Sequence, residues 1–120
     1  MNSSRSRPAR VHAFAPILGA KPRLLILGSL PGIASLRARE YYAHPRNQFW
    51  SILGALLGFD ATMPYSRRVR ALGEARVAVW DVLHSCERPG SLDSRIVRDS
   101  IEPNDFAAFF ARCRGIRRVC

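Results

Sequence analysis

The chain has one lysine, nine acidic residues and three cysteines, and each shortage excludes something. Cys86, Cys113 and Cys120 are odd in number and show no CxxC spacing, so a zinc or iron–sulfur site has no support. Reduced thiols in a reducing compartment fit them better. No apolar run approaches the roughly 20 residues that span a membrane. The longest runs, near Leu24–Leu27 and Ile52–Leu57, are punctuated by glycine. Met1–Arg10 is polar and arginine-bearing, with no apolar segment behind it, so a soluble cytoplasmic protein is expected. Neither the GxGxxG nor the Walker A spacing occurs, which leaves dinucleotide binding and a P-loop unsupported. Repeats and low-complexity segments are also absent.

What remains is a basic chain able to bury one core. Its 120 residues suit a single domain, and 48% hydrophobic content argues against disorder. Nineteen basic residues stand against nine acidic ones, for a net charge of +10, and every basic residue except Lys21 is arginine. A GC-rich genome accounts for the choice of arginine but not for the excess of charge. Such a field attracts phosphate backbones, so the expected partner is nucleic acid or another polyanion.

Residues 1–10 read as a flexible basic arm and residues 11–120 as the folded domain. Arg23–Leu27, ended by Gly28, has the pattern of a strand buried on both faces. Pro45 suits a first helical turn, and Phe49, Ile52, Leu53, Leu56 and Leu57 follow as an inward stripe closed by Gly58. A shorter helix fits Ser66–Leu72, with Tyr65, Val69 and Leu72 inward and Gly73 as its stop. Val77–Leu83 reads as the second strand and His84–Gly90 as a loop. Ser91 can cap a helix carrying Leu92, Ile96 and Val97. Pro103 opens a last helix with Phe106, Phe109, Phe110 and Cys113 on one face, and Ile116–Cys120 starts a third strand. This order predicts an α/β layered domain around a parallel sheet. Because the chain stops within that strand, a truncated product or fragment is expected.

The chemistry-bearing residues cluster after the strands. Gly28-Ser29-Leu30-Pro31-Gly32 forms an elbow at a strand's carboxyl end, where open parallel sheets bind ligands. Two glycines admit a ligand close to the backbone and Pro31 stiffens the turn, although a strand-exit turn without a ligand has the same composition. Asn47 lies about 160° from the apolar stripe on a helical wheel and can position a water, or simply satisfy backbone groups at the helix start. His44 can act as acid, electrophile or hydrogen-bond donor, or as a cap. Tyr41 and Tyr42 can stack a base or pack at a rim. Asp81 can be a pocket acid or a hydrogen-bonded strand residue, and Ser91 and Asp93 can serve the pocket or cap a helix.

Taken together, Leu-Ile-Leu-Gly-Ser-Leu-Pro-Gly, Tyr-Tyr-Ala-His-Pro-Arg-Asn-Gln-Phe-Trp, Trp80-Asp81-Val82-Leu83-His84-Ser85-Cys86 and Gly90-Ser91-Leu92-Asp93 resemble the uracil-DNA glycosylase superfamily, closest to its hypoxanthine- (deoxyinosine-) DNA glycosylase branch. The resemblance covers residues 11–120 and implies a three-layer α/β/α fold with a central parallel sheet. It further implies metal-free, cofactor-free excision of a deaminated base flipped from DNA, by a monomer associated with the nucleoid. Carried over by position, Gly28–Gly32 is the first active-site motif, Tyr42 stacks on the base, Asn47 is the catalytic amide, and His44 and elbow N–H groups stabilise developing charge; Asp81 and Ser91 line the pocket. The superfamily's usual first-motif Asn or Asp falls on Leu30, a departure shared with the deoxyinosine branch, where the helix-start asparagine takes over. The Ser/Pro/Asn-rich loop that enters DNA would lie beyond Cys120, together with the last strand or strands of the sheet. Three rivals stand beside this reading: a non-catalytic DNA- or RNA-binding domain, an enzyme of nucleotides or small phosphates, and an inactive fragment.

Overall fold

The computed structural model describes residues 9–120, so most of the expected basic arm lies outside the described residues. Arg10 does not belong to an arm, because it opens strand β1, Arg10–His12. The remaining elements are β2 (Leu24–Gly28), α1 (Ile33–Ala38), α2 (Phe49–Leu57), α3 (Tyr65–Glu74), β3 (Val77–Asp81), β4 (Leu83–Glu87), β5 (Glu102–Pro103), α4 (Phe106–Arg112) and β6 (Arg118–Val119).

The expected parallel sheet is present, in the order β3-β2-β6. Its period-2 alternation separates two cores. On one face Leu24, Ile26, Val77 and Val79 meet Trp50 and Leu53 of α2 and Tyr65, Val69 and Leu72 of α3. On the other, Leu25, Leu27, Ala78 and Trp80 meet Phe106 and Phe109 of α4. Helices therefore cover both faces, which gives the α/β/α layering. Ile17 closes the outer edge of β3 by exchanging two backbone hydrogen bonds with Val79.

A second, antiparallel sheet, β1-β4-β5, was not expected from the sequence. The expected strand Val77–Leu83 breaks at Val82, and Leu83 opens a further strand, β4 (Leu83–Glu87), which takes up the first part of the expected loop His84–Gly90. Asn104 holds the break: its side-chain amide donates to the carbonyls of Asp81 (2.8 Å) and Leu83 (3.2 Å). Arg10–His12 then pairs with Ser85–Glu87, and buried Ser85 is satisfied by the Glu102 carboxylate at 2.8 Å. The small sheet has its own core of Val11, Leu83 and Cys86, joined by Leu30 from the elbow.

Further expectations are corrected by local bonding. Pro45 starts no helix: the Asn47 N–H donates to the His44 carbonyl (2.9 Å), closing a turn with proline at its second position. In α2 the fully buried residues are Trp50 and Gly54; Phe49 and Leu53 of the expected stripe pack half-buried against the core, whereas Ile52, Leu56 and Leu57 face outward, Leu56 being 74% exposed. Trp50 faces inward because its indole N–H reaches the Tyr41 carbonyl at 2.8 Å and its ring lies against Phe49, Phe59 and Tyr65. Gly54 faces inward because the Phe59 carbonyl occupies the space that a Cβ would need. Gly73 lies within α3, packed against Gly19, rather than stopping it. Residues after Ser91 form two short 3-10 turns, not an α-helix. Pro103 sits in β5, and Asp105 caps α4 by accepting the Ala108 N–H.

Candidate functional site

A pocket of about 350 Å3 opens at the carboxyl ends of β2 and β3. Gly28, Ser29, Leu30, Pro31, Gly32, Tyr41, Tyr42, His44, Asn47, Asp81 and Ser91 all line it, so of the residues singled out from the sequence only Asp93 stands outside the cavity lining. Register explains the first contact. Gly28 lies opposite Asp81 across the parallel pair, and both strands end there.

Gly28 is required by what surrounds it. A Cβ at this position would fall 2.6 Å from Asp81 Oδ1 and 3.0 Å from the Tyr42 hydroxyl. The glycine thus makes room for a carboxyl and a phenol at the pocket wall. Asp81 is 4% exposed, and its Oδ2 has no hydrogen-bond partner among the described residues. Burial, with the nearby Asp93 charge adding to it, pushes its carboxyl up to about 6, so it exchanges its proton near neutrality. Tyr42 stacks on Phe49 with ring centroids 4.0 Å apart and an interplanar angle of 22°. Its backbone holds φ at 55°, a conformation that is uncommon for an aromatic residue and is imposed here at the pocket edge.

The His44–Asn47 turn presents the imidazole and the amide. His44 Nδ1 accepts the Arg46 N–H at 3.1 Å, which leaves the proton of the neutral ring on Nε2. Asn47 Oδ1 accepts the Phe49 N–H at 2.8 Å, as a helix-start asparagine does. Its NH2 group and second carbonyl lone pair remain available for other partners. Asn47 precedes α2, so the helical-wheel placement does not apply to it. The turn, rather than the helix face, sets its direction.

The elbow is fixed from behind by Arg88, which the sequence did not single out, together with Asp93 and Ser91. Arg88 is 2% exposed; its Nη2 donates to the Pro31 carbonyl (2.6 Å), its Nε donates to the Gly90 carbonyl (2.8 Å), and its Nη1 lies 3.7 Å from Asp93 Oδ1. Asp93 in turn accepts the Ser29 hydroxyl proton. Ser91 caps a helix other than the expected one: its Oγ accepts the N–H of Ile33, the first residue of α1. Leu30 lines the pocket yet is buried against Val11, Leu83 and Cys86, so its side chain acts as an apolar anchor. Nothing in the sequence separates Arg88 from the other arginines. The only local sign is its place before Pro89-Gly90, where a turn brings it back toward the elbow.

The chemistry assembled here is a narrow pocket with a stacked aromatic wall, a protonatable carboxyl, an imidazole and an amide. Comparison with known proteins gives it a lineage. The family model described as the uracil DNA glycosylase superfamily matches residues 16–114. A protein named hypoxanthine DNA glycosylase from Methanosarcina barkeri is 39% identical over 89 residues, covering 73% of this chain and 56% of that protein. One of the same name from Methanosarcina acetivorans is 35% identical over 108 residues, covering 89% and 67%. A solution NMR structure from Methanosarcina acetivorans, provisionally described as a uracil DNA glycosylase, superposes with a TM-score of 0.81 at 34% identity, covering 93% of this chain and 69% of that one. The chain thus spans 56% and 67% of the length of the two named relatives. It belongs to the uracil DNA glycosylase superfamily.

Proposed function

We propose that the protein is a DNA glycosylase that takes a deaminated base, hypoxanthine first and uracil or xanthine as further candidates, out of the duplex and hydrolyses its N-glycosidic bond. The observation that carries this reading is the convergence of Gly28–Gly32, Tyr42, His44, Asn47, Asp81 and Ser91 on one pocket at the carboxyl ends of β2 and β3. The names of the two Methanosarcina relatives support hypoxanthine as the first substrate to test.

The flipped base stacks on Tyr42, whose ring Phe49 holds in place. The bond between C1′ and the base nitrogen breaks with its electron pair passing to the base. The elbow N–H groups and the His44 Nε2–H stabilise the charge that develops there. Asn47 directs a water at the cation-like C1′ from the opposite side. The water oxygen bonds to C1′, and its proton leaves through solvent, since an amide is no base. Asp81, when protonated, donates a hydrogen bond to the base, and Ser91 holds the elbow-to-helix junction. Leu30 supplies no water-directing group, which is why the chemistry rests on Asn47.

The test is incubation with duplexes containing deoxyinosine, deoxyuridine or deoxyxanthosine, followed by cleavage at the abasic product. Release of hypoxanthine by the wild type and its loss in Asn47→Ala support the reading. Equal release by Asn47→Ala overturns the assignment of the amide. One observation favours a second reading, that of a non-catalytic DNA-binding domain: Leu30 is buried where the superfamily's usual amide would stand. Steeply salt-dependent binding with no base release from any of the three substrates would select it.

A further inference from the structure

The opposite end of the parallel sheet carries a second pocket, of about 320 Å3, lined by Lys21, Arg23, Arg76, Arg112, Arg114 and Arg117 together with Ala20, Pro22, Cys113 and Gly115. Backbone bonding builds this cluster. Arg23 and Arg76 immediately precede β2 and β3, and Arg117 precedes β6. The Arg23 N–H donates to the Arg76 carbonyl and the Arg117 N–H to the Arg23 carbonyl, each at 2.8 Å. Three adjacent parallel strands therefore each begin with a cation, and the three cations are linked side by side.

Among the described residues no acid neutralises them. No acidic residue lines this pocket, and none of the six cations forms an ion pair with a described acid. Arg76 also holds φ at 63°, a left-handed conformation that suits glycine or asparagine better. Six like charges around one cavity repel one another unless an anion joins them. The lining contains no aromatic ring on which a base could stack, so the pocket fits backbone phosphates better than a free nucleotide.

We propose that this pocket is a second DNA site, which grips the phosphates of a duplex segment other than the one that supplies the base. With strands rising about 3.3 Å per residue, β2 separates the two pockets along its whole length and directs them to opposite ends. The choice of DNA as the polyanion rests on the glycosylase reading, whereas the phosphate chemistry does not.

The test combines Arg76→Asn, Arg112→Gln and Arg117→Gln in one chain and replaces the same three residues by lysine in another. For the neutral triple variant, the slope of log affinity against log salt on undamaged duplex is expected to become shallower by about 2 to 3. Its capture of a labelled duplex by protein already bound to an immobilised one is lost, while single-turnover excision on a short hypoxanthine duplex keeps the wild-type rate. The lysine variant keeps the slope and the capture, which shows that charge rather than misfolding is responsible. An unchanged slope, or excision that falls in step with affinity, overturns the second site. Saturable binding of ATP that the neutral variant abolishes while duplex capture survives also overturns it, as does a slope change confined to RNA. A wild type that excises nothing, paired with capture lost only in the neutral variant, overturns the glycosylase reading and leaves this site standing.

Discussion

At the carboxyl ends of β2 and β3 a carboxyl, an amide and an imidazole surround a pocket, whereas at the amino ends of the same strands the charged side chains lining the second pocket are all cations. The elbow pocket is held by long-range side-chain bonds: Arg88 to Pro31, Ser91 to Ile33, Ser29 to Asp93. The basic pocket is held by backbone bonds alone among Arg23, Arg76 and Arg117, and its side chains are exposed. Rigid side chains suit the orienting of one base that is proposed for this pocket. Exposed guanidinium groups suit one that needs only charge. Both ends also carry features that oppose folding, namely an unpartnered buried carboxyl oxygen at Asp81 and a left-handed arginine at Arg76.

Four substitutions sharpen this contrast. The largest effect is expected from Arg88→Met. It strips the Pro31 and Gly90 carbonyls of their donor and Asp93 of its guanidinium partner, and costs about 3–5 kcal/mol in denaturant unfolding. Asp81→Asn acts in the opposite direction. The folded carboxyl titrates at about 6, above its unfolded value of 3.8, so the protonated form is the one that folding favours. The stability that goes with that proton is complete below about pH 4 and is lost as pH rises through about 6. Asp81→Asn is therefore expected to stabilise by up to about 3 kcal/mol at pH 7–8 and to have little effect below pH 4, as melting across pH would show. Gly28→Ala forces Asp81 and Tyr42 aside and is expected to cost about 1–3 kcal/mol, together with excision activity. Arg76→Gly relieves the left-handed strain and should stabilise by about 1 kcal/mol while weakening binding to undamaged duplex. If Arg76→Gly and Asp81→Asn both destabilise at pH 7, the two ends do not hold function at the expense of stability.

Much of the fold was legible because burial and apolar period coincide. Leu24–Leu27 alternates between two cores, Tyr65, Val69 and Leu72 line one side of α3, and Phe109 seals the far face of the sheet. The reading failed where side-chain bonds override that rule. Ile52, Leu56 and Leu57 keep helical spacing yet are exposed, because Trp50 finds a carbonyl for its indole N–H and Gly54 a close neighbour. Strand β4 was hidden because its inward Ser85 is polar and is satisfied by Glu102, from a strand 15 residues downstream of the end of β4. The pocket residues were legible because the elbow and Asp81 stand at strand ends and because the Tyr41–Asn47 motif, between α1 and α2, carries the family resemblance. Their fixing by Arg88 and Asn104 was not, since it depends on contacts 57 and 21–23 residues apart.

The most direct measurement is the single-turnover rate of hypoxanthine release from a deoxyinosine duplex by the wild type and by Asn47→Ala, at equal protein in saturating excess over DNA. Catalysis by a turn-presented amide at the carboxyl end predicts release by the wild type and a rate lower by about 100-fold or more in Asn47→Ala. Equal rates in the two proteins, with both folded by circular dichroism, would contradict it.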